Sequence, residues 1–208
     1  MLVAPADDRS GAAALFLDRD GIVNVDLGYV SRPEDCTFVD GIFALGCAAR
    51  DAGLALVIVT NQAGIGRGLY SEADFRLFME WVADAFAGEG CPLTAVYYCP
   101  HHPVDGIGAY RASCPCRKPA PGMLLRAAAD LSLDVARSVL VGDRSTDIEA
   151  GHAAGVSQLY LLSQDEPAGP ATRLSTLRDL ARDVASRAGT AWSPSADDRR
   201  TLVRRACP

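Results

Sequence analysis

The sequence predicts one α/β catalytic domain: a Rossmann-like three-layer sandwich, with a central parallel sheet covered by helices on both faces. Three observations predict it. Short apolar runs recur along the chain and alternate with segments whose apolar positions return every three or four residues. The apolar runs close on polar turns, where an open parallel sheet binds its ligands. The 208 residues are 49% hydrophobic and 22% charged, ordinary globular usage that suffices for a single domain with a real core.

Ala13–Asp18 (AALFLD) and Leu54–Thr60 (LALVIVT) read as buried parallel strands, each followed by a polar, Gly-containing turn. Between them, Gly41–Gly53 reads as a crossover helix closing at a glycine, which completes a βαβ unit. The next helix spans Ser71–Phe86, with Ser71 as N-cap, Asp74 as the capping-box acid and an apolar face of Phe75, Phe78, Met79, Val82 and Phe86. A third strand follows over Thr94–Cys99, then a Pro-initiated helix over Pro119–Leu131. Ser138–Gly142 is the fourth strand. Its turn DRSTD leads into a helix over Ile148–Ala154 stopped by Gly155, and a fifth strand covers Ser157–Leu162. Residues 1–12 read as an N-terminal extension, 13–163 as the catalytic domain, and 164–208 as a linker, a docked amphipathic helix over Arg173–Arg187 and a loose tail.

Composition narrows the partners. The formal net charge is −6 and no basic run exceeds two arginines, so nucleic acid and anionic membrane are not expected partners and a small molecule is. Asp7 and Asp8 stand where an export signal needs basic charge, and apolar runs stay well short of the ~18 residues of a membrane span. A cytoplasmic protein with no obligate protein partner is expected. The cysteine count, 7, is odd, which favours reduced thiols or a metal site over a disulfide framework. No P-loop pattern occurs, and NQAGIGRG is expected as a loop beside a phosphate.

The chemistry gathers at strand ends. Asp18-Arg19-Asp20-Gly21 places two carboxylates just past the first strand, and Gly21 lets the backbone turn sharply. The second strand ends in Thr60-Asn61, Lys118 follows in CRKP, and the fourth strand ends in Gly142-Asp143. An aspartate can attack phosphorus only if the negative charges of both reactants are offset, which calls for a divalent cation and a fixed ammonium. Asp18, Asp143 and Lys118 supply those parts. Thr60 and Asn61 can hold non-bridging phosphate oxygens, and Asp20 can protonate the leaving oxygen and later activate water.

These residues resemble the haloacid-dehalogenase superfamily, whose four motifs match LFLDRDG, IVTNQ, RKP and VGDRSTD over roughly residues 13 to 162. The resemblance implies that Asp18 is the nucleophile forming an aspartyl phosphate, Asp20 the acid/base, and Thr60 and Lys118 the phosphoryl-stabilising pair. Mg2+ would be held by the carboxylates of Asp18 and Asp143 and the backbone carbonyl of Asp20, oxygen ligands that suit this ion. Too few residues separate Asp20 from the first helix for a large cap domain, so loops, including 27–38, should cover the site.

Cys99-Pro100-His101-His102 and Cys114-Pro115-Cys116 form a second constellation, with three thiolates and an imidazole as donors for a closed, structural zinc site. The loop between them is poor in core formers, so a metal would clamp it and fix where Lys118 points. CPHHP followed by CPCRKPAPGM resembles the D-glycero-D-manno-heptose 1,7-bisphosphate 7-phosphatase and histidinol-phosphate phosphatase family, and that resemblance selects Cys99, His101, Cys114 and Cys116 as the Zn2+ ligands. It also implies that Asp26, Gly28 and Tyr29 contact the sugar. Gln62 belongs to the motif beside the phosphate, and Arg117 and Arg144 could receive a second phosphate. Arg144 stands where the family usually has Lys and Ala63 where it usually has Ser. The expected activity is Mg2+-dependent removal of the 7-phosphate of the heptose bisphosphate. Histidinol phosphate or another small phosphorylated metabolite is the alternative substrate, and a catalytically silent zinc-stabilised binding protein the alternative class. Retention of Asp18, Asp20, Lys118 and Asp143 together favours the enzyme.

Overall fold

In the computed structural model, residues 11–186 and 201–206 are described. A seven-stranded sheet runs in the order β6-β5-β4-β1-β2-β3-β7, and every neighbouring pair is parallel. The strands are β1 (Ala14–Leu17), β2 (Ala55–Asn61), β3 (Ala95–Cys99), β4 (Val139–Gly142), β5 (Gln158–Leu161), β6 (Thr172–Arg173) and β7 (Leu202–Arg205). Six helices connect them: α1 (Ile42–Asp51), α2 (Ala63–Gly66), α3 (Glu72–Gly88), α4 (Gly122–Leu131), α5 (Ser145–Ala154) and α6 (Leu177–Ala185).

The alternation of side chains along each strand divides the core in two. Leu15, Leu17, Leu56, Ile58, Val96 and Tyr98 face one layer, where Ile42 and Leu45 of α1, the Phe75–Phe86 face of α3 and Leu177, Leu180 and Val184 of α6 pack on them. Phe16, Val57, Val59, Tyr97 and Leu140 face the other, against Met123, Leu124 and Ala127 of α4 and Ile148 and Ala154 of α5. Strands apolar on both faces are what a sheet with two helical layers requires, which is why they read as unbroken apolar runs.

Helix ends follow local chemistry. The Ser71 hydroxyl accepts the Asp74 N–H at 3.1 Å while the Asp74 carboxylate accepts the Ser71 N–H at 2.9 Å, the capping box read from the sequence. α5 starts at Ser145 rather than Ile148 because the Asp147 carboxylate accepts the Arg144 N–H at 3.1 Å and opens the helix within the turn. α6 is shorter than the expected span, is capped by Thr176 and docks against α1.

The tail read as loose instead contributes β7, which pairs with β3 from Ala95↔Leu202 to Tyr98↔Arg205 and covers that edge of the sheet. The N-terminal extension up to residue 10 and residues 187–200 and 207–208 lie outside the described residues. Between Asp20 and α1 there is a loop with one 3-10 turn, Pro33–Asp35, pinned by isolated bridges at Asp20↔Asn24 and Asn24↔Phe38. No described helix is long and apolar enough to cross a membrane.

Candidate active site

The carboxyl ends of β1, β2 and β4 open into a cavity of about 530 Å³. Asp18 continues the β1 ladder, its N–H donating to the Val141 carbonyl at 3.1 Å, so its carboxylate emerges beside the end of β4. Gly21 then turns the chain with φ of 89°, and a Cβ there would overlap the Asp143 carboxylate. Glycine is needed at this position for both its dihedral and its missing side chain.

Lys118 arrives from the loop before α4. Its ammonium donates to Asp18 Oδ1 at 2.5 Å and to the Val59 carbonyl at 2.9 Å, and pairs with Asp147 Oδ1 at 2.7 Å. The backbone carrying it is held by Asn61, whose Nδ2 donates to the Lys118 carbonyl at 3.1 Å and whose Oδ1 accepts the Lys118 N–H at 3.0 Å. Asn61 lines the cavity, as expected for a substrate contact, but its amide is spent on fixing the lysine. Thr60 is buried beside it and accepts from Gln62 Nε2 at 2.8 Å, and the Tyr70 hydroxyl donates to Gln62 Oε1 at 2.6 Å.

Carboxylate oxygens of Asp18, Asp143 and Asp147 lie within 4.8 Å of one another, and Asp143 Oδ1 is buried with no partner among the described residues. Burial pushes the Asp18 carboxyl up to about 8; Lys118 opposes the shift, while Asp147 and Asp143 add to it. Asp143 is pushed up to about 6, first by burial and then by Asp147. Burial alone would lower the pKa of Lys118, but the carboxylates of Asp147 and Asp18 more than offset it and raise it. One ammonium among three crowded carboxylates, one of them with an orphaned oxygen, is a donor set that fits a hard divalent cation. The Asp20 carboxylate is not in the cluster; it is engaged by Arg19, Asn24 and Gln62.

The covering loops bring in the remaining expected residues. Asp26 accepts the Gly28 N–H at 3.0 Å and pairs with Arg144 at 2.9 Å, so Arg144, its side chain 61% exposed, reaches over the cavity mouth. Tyr29 sits at φ 56° under the Arg67 guanidinium, 5.5 Å from the ring centroid. Arg117 lines the cavity and donates to the His101 carbonyl at 3.1 Å. His102 also lines it, but its ring accepts the Asp105 N–H at 2.9 Å and serves the loop.

Ligand atoms of Cys99, His101 and Cys114 lie within 4.8 Å of one another. Their Sγ–Sγ and Sγ–Nδ1 separations are 3.7 Å and 3.8 Å. A tetrahedron with metal–sulfur bonds of about 2.3 Å has edges of about 3.8 Å, so the spacing fits zinc ligands. Cys116 is the expected fourth thiolate. Its sulfur is in a disulfide and cannot ligate as a thiolate, although its N–H donates to Cys114 Sγ at 3.4 Å.

The structure adds residues to which the sequence assigned no role. Asp147 bridges Lys118 to the α5 N-terminus, and it stood unassigned inside the VGDRSTD motif. Arg67 and Tyr70 line the cavity, as does Glu166, which accepts the Ser145 N–H at 3.0 Å. Arg67 lies within NQAGIGRG, the loop expected beside a phosphate, whereas Tyr70 and Glu166 carry no motif signal.

Comparison with known proteins agrees with this arrangement. A HAD-hydrolase-like family model matches residues 115–180. The chain is 49% identical over 171 residues to the D-glycero-alpha-D-manno-heptose-1,7-bisphosphate 7-phosphatase of Burkholderia mallei, covering 82% of this chain and 90% of that protein. It is 41% identical over 177 residues to the D-glycero-beta-D-manno-heptose-1,7-bisphosphate 7-phosphatase of Escherichia coli K12, covering 82% and 93%. Among solved structures, the D,D-heptose 1,7-bisphosphate phosphatase of B. bronchiseptica complexed with magnesium and phosphate aligns with a TM-score of 0.72 at 29% identity, covering 84% of this chain and 98% of that one.

Proposed function

We propose the reaction from one premise: the chain belongs to the haloacid-dehalogenase-like hydrolases, in the D-glycero-D-manno-heptose 1,7-bisphosphate 7-phosphatase family. It is a phosphoric monoester hydrolase, and its substrate is the heptose 1,7-bisphosphate, cleaved at the 7-phosphate. The observation that carries this reading is the meeting of Asp18, at the end of β1, with Lys118 on the wall of one cavity, with the Asp143 carboxylate within 4.8 Å of that of Asp18.

An Asp18 carboxylate oxygen attacks phosphorus, the bond from phosphorus to the C7 oxygen breaks, and that oxygen takes the electron pair and a proton from Asp20. Asp20 then removes a proton from water as it attacks the aspartyl phosphate, releasing inorganic phosphate and the free Asp18 carboxylate. Lys118 and Thr60 stabilise the non-bridging oxygens. The Asp18 and Asp143 carboxylates and the Asp20 carbonyl would hold Mg2+, which when bound supplies positive charge opposite the phosphate. Asp147 keeps the lysine in register from behind.

Arg117 and Arg144, which line the cavity with Arg67, would receive the distal phosphate, and Asp26, Gly28 and Tyr29 would contact the sugar. A primary phosphate ester needs little steric allowance and can enter a site covered only by loops. Cys99, His101 and Cys114 form the zinc clamp of the loop that ends in Lys118, with Cys116 completing the set when its sulfur is reduced; the edge-length spacing of the first three supports this.

The test is kcat/KM, in Mg2+, for both heptose 1,7-bisphosphate anomers, histidinol phosphate and simple sugar phosphates in parallel. The bisphosphates are expected to win. If histidinol phosphate wins by more than about tenfold, about 1.4 kcal/mol of transition-state preference, the heptose assignment is wrong and the phosphatase assignment stands.

A further inference from the structure

Arg19 is fully buried, 0% exposed, and heads the largest side chains sealed in the interior. Its guanidinium lies over two rings of α3, 5.8 Å from the Phe75 centroid and 5.4 Å from that of Phe78. All its hydrogen bonds in the structure go to one neighbour: Nε and Nη2 donate to Asp20 Oδ1 at 3.1 Å and 2.6 Å, and Nη2 donates to Oδ2 at 2.7 Å. Nη1 has no partner among the described residues. A cation burdened in this way contributes little to folding, since an apolar side chain of similar volume against Phe75 and Phe78 would do at least as well. Its position is explained by the carboxylate it grips.

That carboxylate is the most fully engaged one at the cavity. Asn24 Nδ2 donates to Oδ1 at 3.1 Å and Gln62 Nε2 approaches Oδ2 at 3.4 Å, and Gln62 is itself held by Tyr70. Oδ1 therefore receives three donors and Oδ2 two. The Asp20 side chain remains 23% exposed, so the grip holds it from behind and leaves one edge to the cavity.

We propose that Arg19 is a positioning residue: it fixes the Asp20 carboxyl where it can protonate the leaving oxygen, so that no rotamer search is needed at the moment of bond cleavage. This rests on the reading of Asp20 as the proton donor given above. In the step concerned, the bond from Asp18 to phosphorus forms, the phosphorus–alcohol oxygen bond breaks with its electron pair, and the Asp20 proton passes to that oxygen. An alkyl alcohol needs this proton; p-nitrophenolate, a stable anion, does not.

The experiment measures leaving-group release in a single turnover, with Mg2+, from a primary alkyl phosphate and from p-nitrophenyl phosphate. Wild type, Arg19→Met and Asp20→Asn are compared. Arg19→Met is expected to slow release from the alkyl phosphate on the order of 10²-fold and from p-nitrophenyl phosphate by less than about threefold, the selectivity of a lost general acid. If Asp20→Asn discriminates between the two esters and Arg19→Met slows both equally, or neither, the proposal is overturned while the acid assignment survives. If Asp20→Asn does not discriminate, the acid assignment fails and takes the proposal with it. Should Arg19→Met not fold, Arg19→Lys keeps the charge on a single nitrogen but loses the planar fork; a smaller but still ester-selective loss supports the proposal, and an unselective loss refutes it.

Discussion

Replacing Lys118 with methionine keeps the apolar stem and removes the charge. The lysine side chain is 3% exposed, and its partners Asp18 and Asp147 are 11% and 3% exposed. Deleting one member of a buried pair costs about 3–5 kcal/mol, because the surviving charge is left without compensation. Here two carboxylates survive and Asp143 stands beside them, which argues for the upper part of that range, about 4–5 kcal/mol. For a chain of this length, at about 2–4 °C per kcal/mol, the melting temperature should fall by about 8–20 °C. The loss should depend on pH. Asp18 and Asp143 have folded pKa values raised to about 8 and about 6, above the ordinary 3.8 of an unfolded aspartate. Between these limits the folded chain binds more protons than the unfolded one, so stability contributed by these groups rises as pH falls. Removing the lysine raises both values further. The penalty should therefore be largest at alkaline pH, begin to shrink above about pH 8 where the variant's carboxyls first take up protons, and be largely relieved near pH 5. Urea denaturation of metal-free wild type and Lys118→Met at these values measures it. Mg2+ at about a hundred times its dissociation constant should return about 2.7 kcal/mol at the alkaline end if the site binds it. A variant as stable as wild type at pH 9, or destabilised equally at every pH, would refute the account of a crowded carboxylate cluster.

Asp18→Asn should abolish turnover of p-nitrophenyl phosphate while leaving the fold, read by circular dichroism, intact, because the amide is nearly isosteric but cannot accept the phosphoryl group; wild-type-like activity would sink the nucleophile assignment. Gly21→Ala should cost at least about 1 kcal/mol from its left-handed backbone alone, and should shift the Mg2+ concentration for half-maximal activity upward because the added methyl displaces Asp143; an unchanged Mg2+ requirement would count against Asp143 as a ligand. Cys114→Ser should lower bound zinc from about one per chain, together with thermal stability and activity, since the loop bearing Lys118 loses its anchor. Elemental analysis finding no zinc in the unmutated protein would remove the premise.

Much of the fold was legible because β1, β2 and β4 are buried on both faces and so read as apolar runs, and because an open parallel sheet dictates where their polar ends gather. Asp18, Thr60, Lys118 and Asp143 were legible for the same reason: each sits at, or in a loop reaching, such an end. Other features depend on distance in space. Asp147 in the first turn of a helix reads as an ordinary cap, and nothing local reveals the ammonium 2.7 Å away. Arg19, between two aspartates, reads as part of a solvated acidic turn until its 0% exposure is known. β7 is four residues, two of them arginines, and its pairing with β3 joins segments about a hundred positions apart. The Asn61 amide could equally have met a phosphate; only the fold brings the Lys118 backbone to it.

The placement of β1 has a consequence for how the protein is made. Of the described strands it is the first to be synthesised and the middle one in the sheet, with Leu15 flanked by Leu56 on one side and Val139 on the other. Its first partner follows closely, but its second does not: the Ala14 N–H donates to Ser138 Oγ across 124 positions. At translation speeds of about 5–20 residues per second, the gap lasts on the order of ten seconds. During that time one edge of the strand carrying the nucleophile is unpaired and its ALFL side chains lack half their cover, an aggregation-prone template. Asp143 belongs to the same late segment, so the catalytic pocket and the protection of its central strand are completed together.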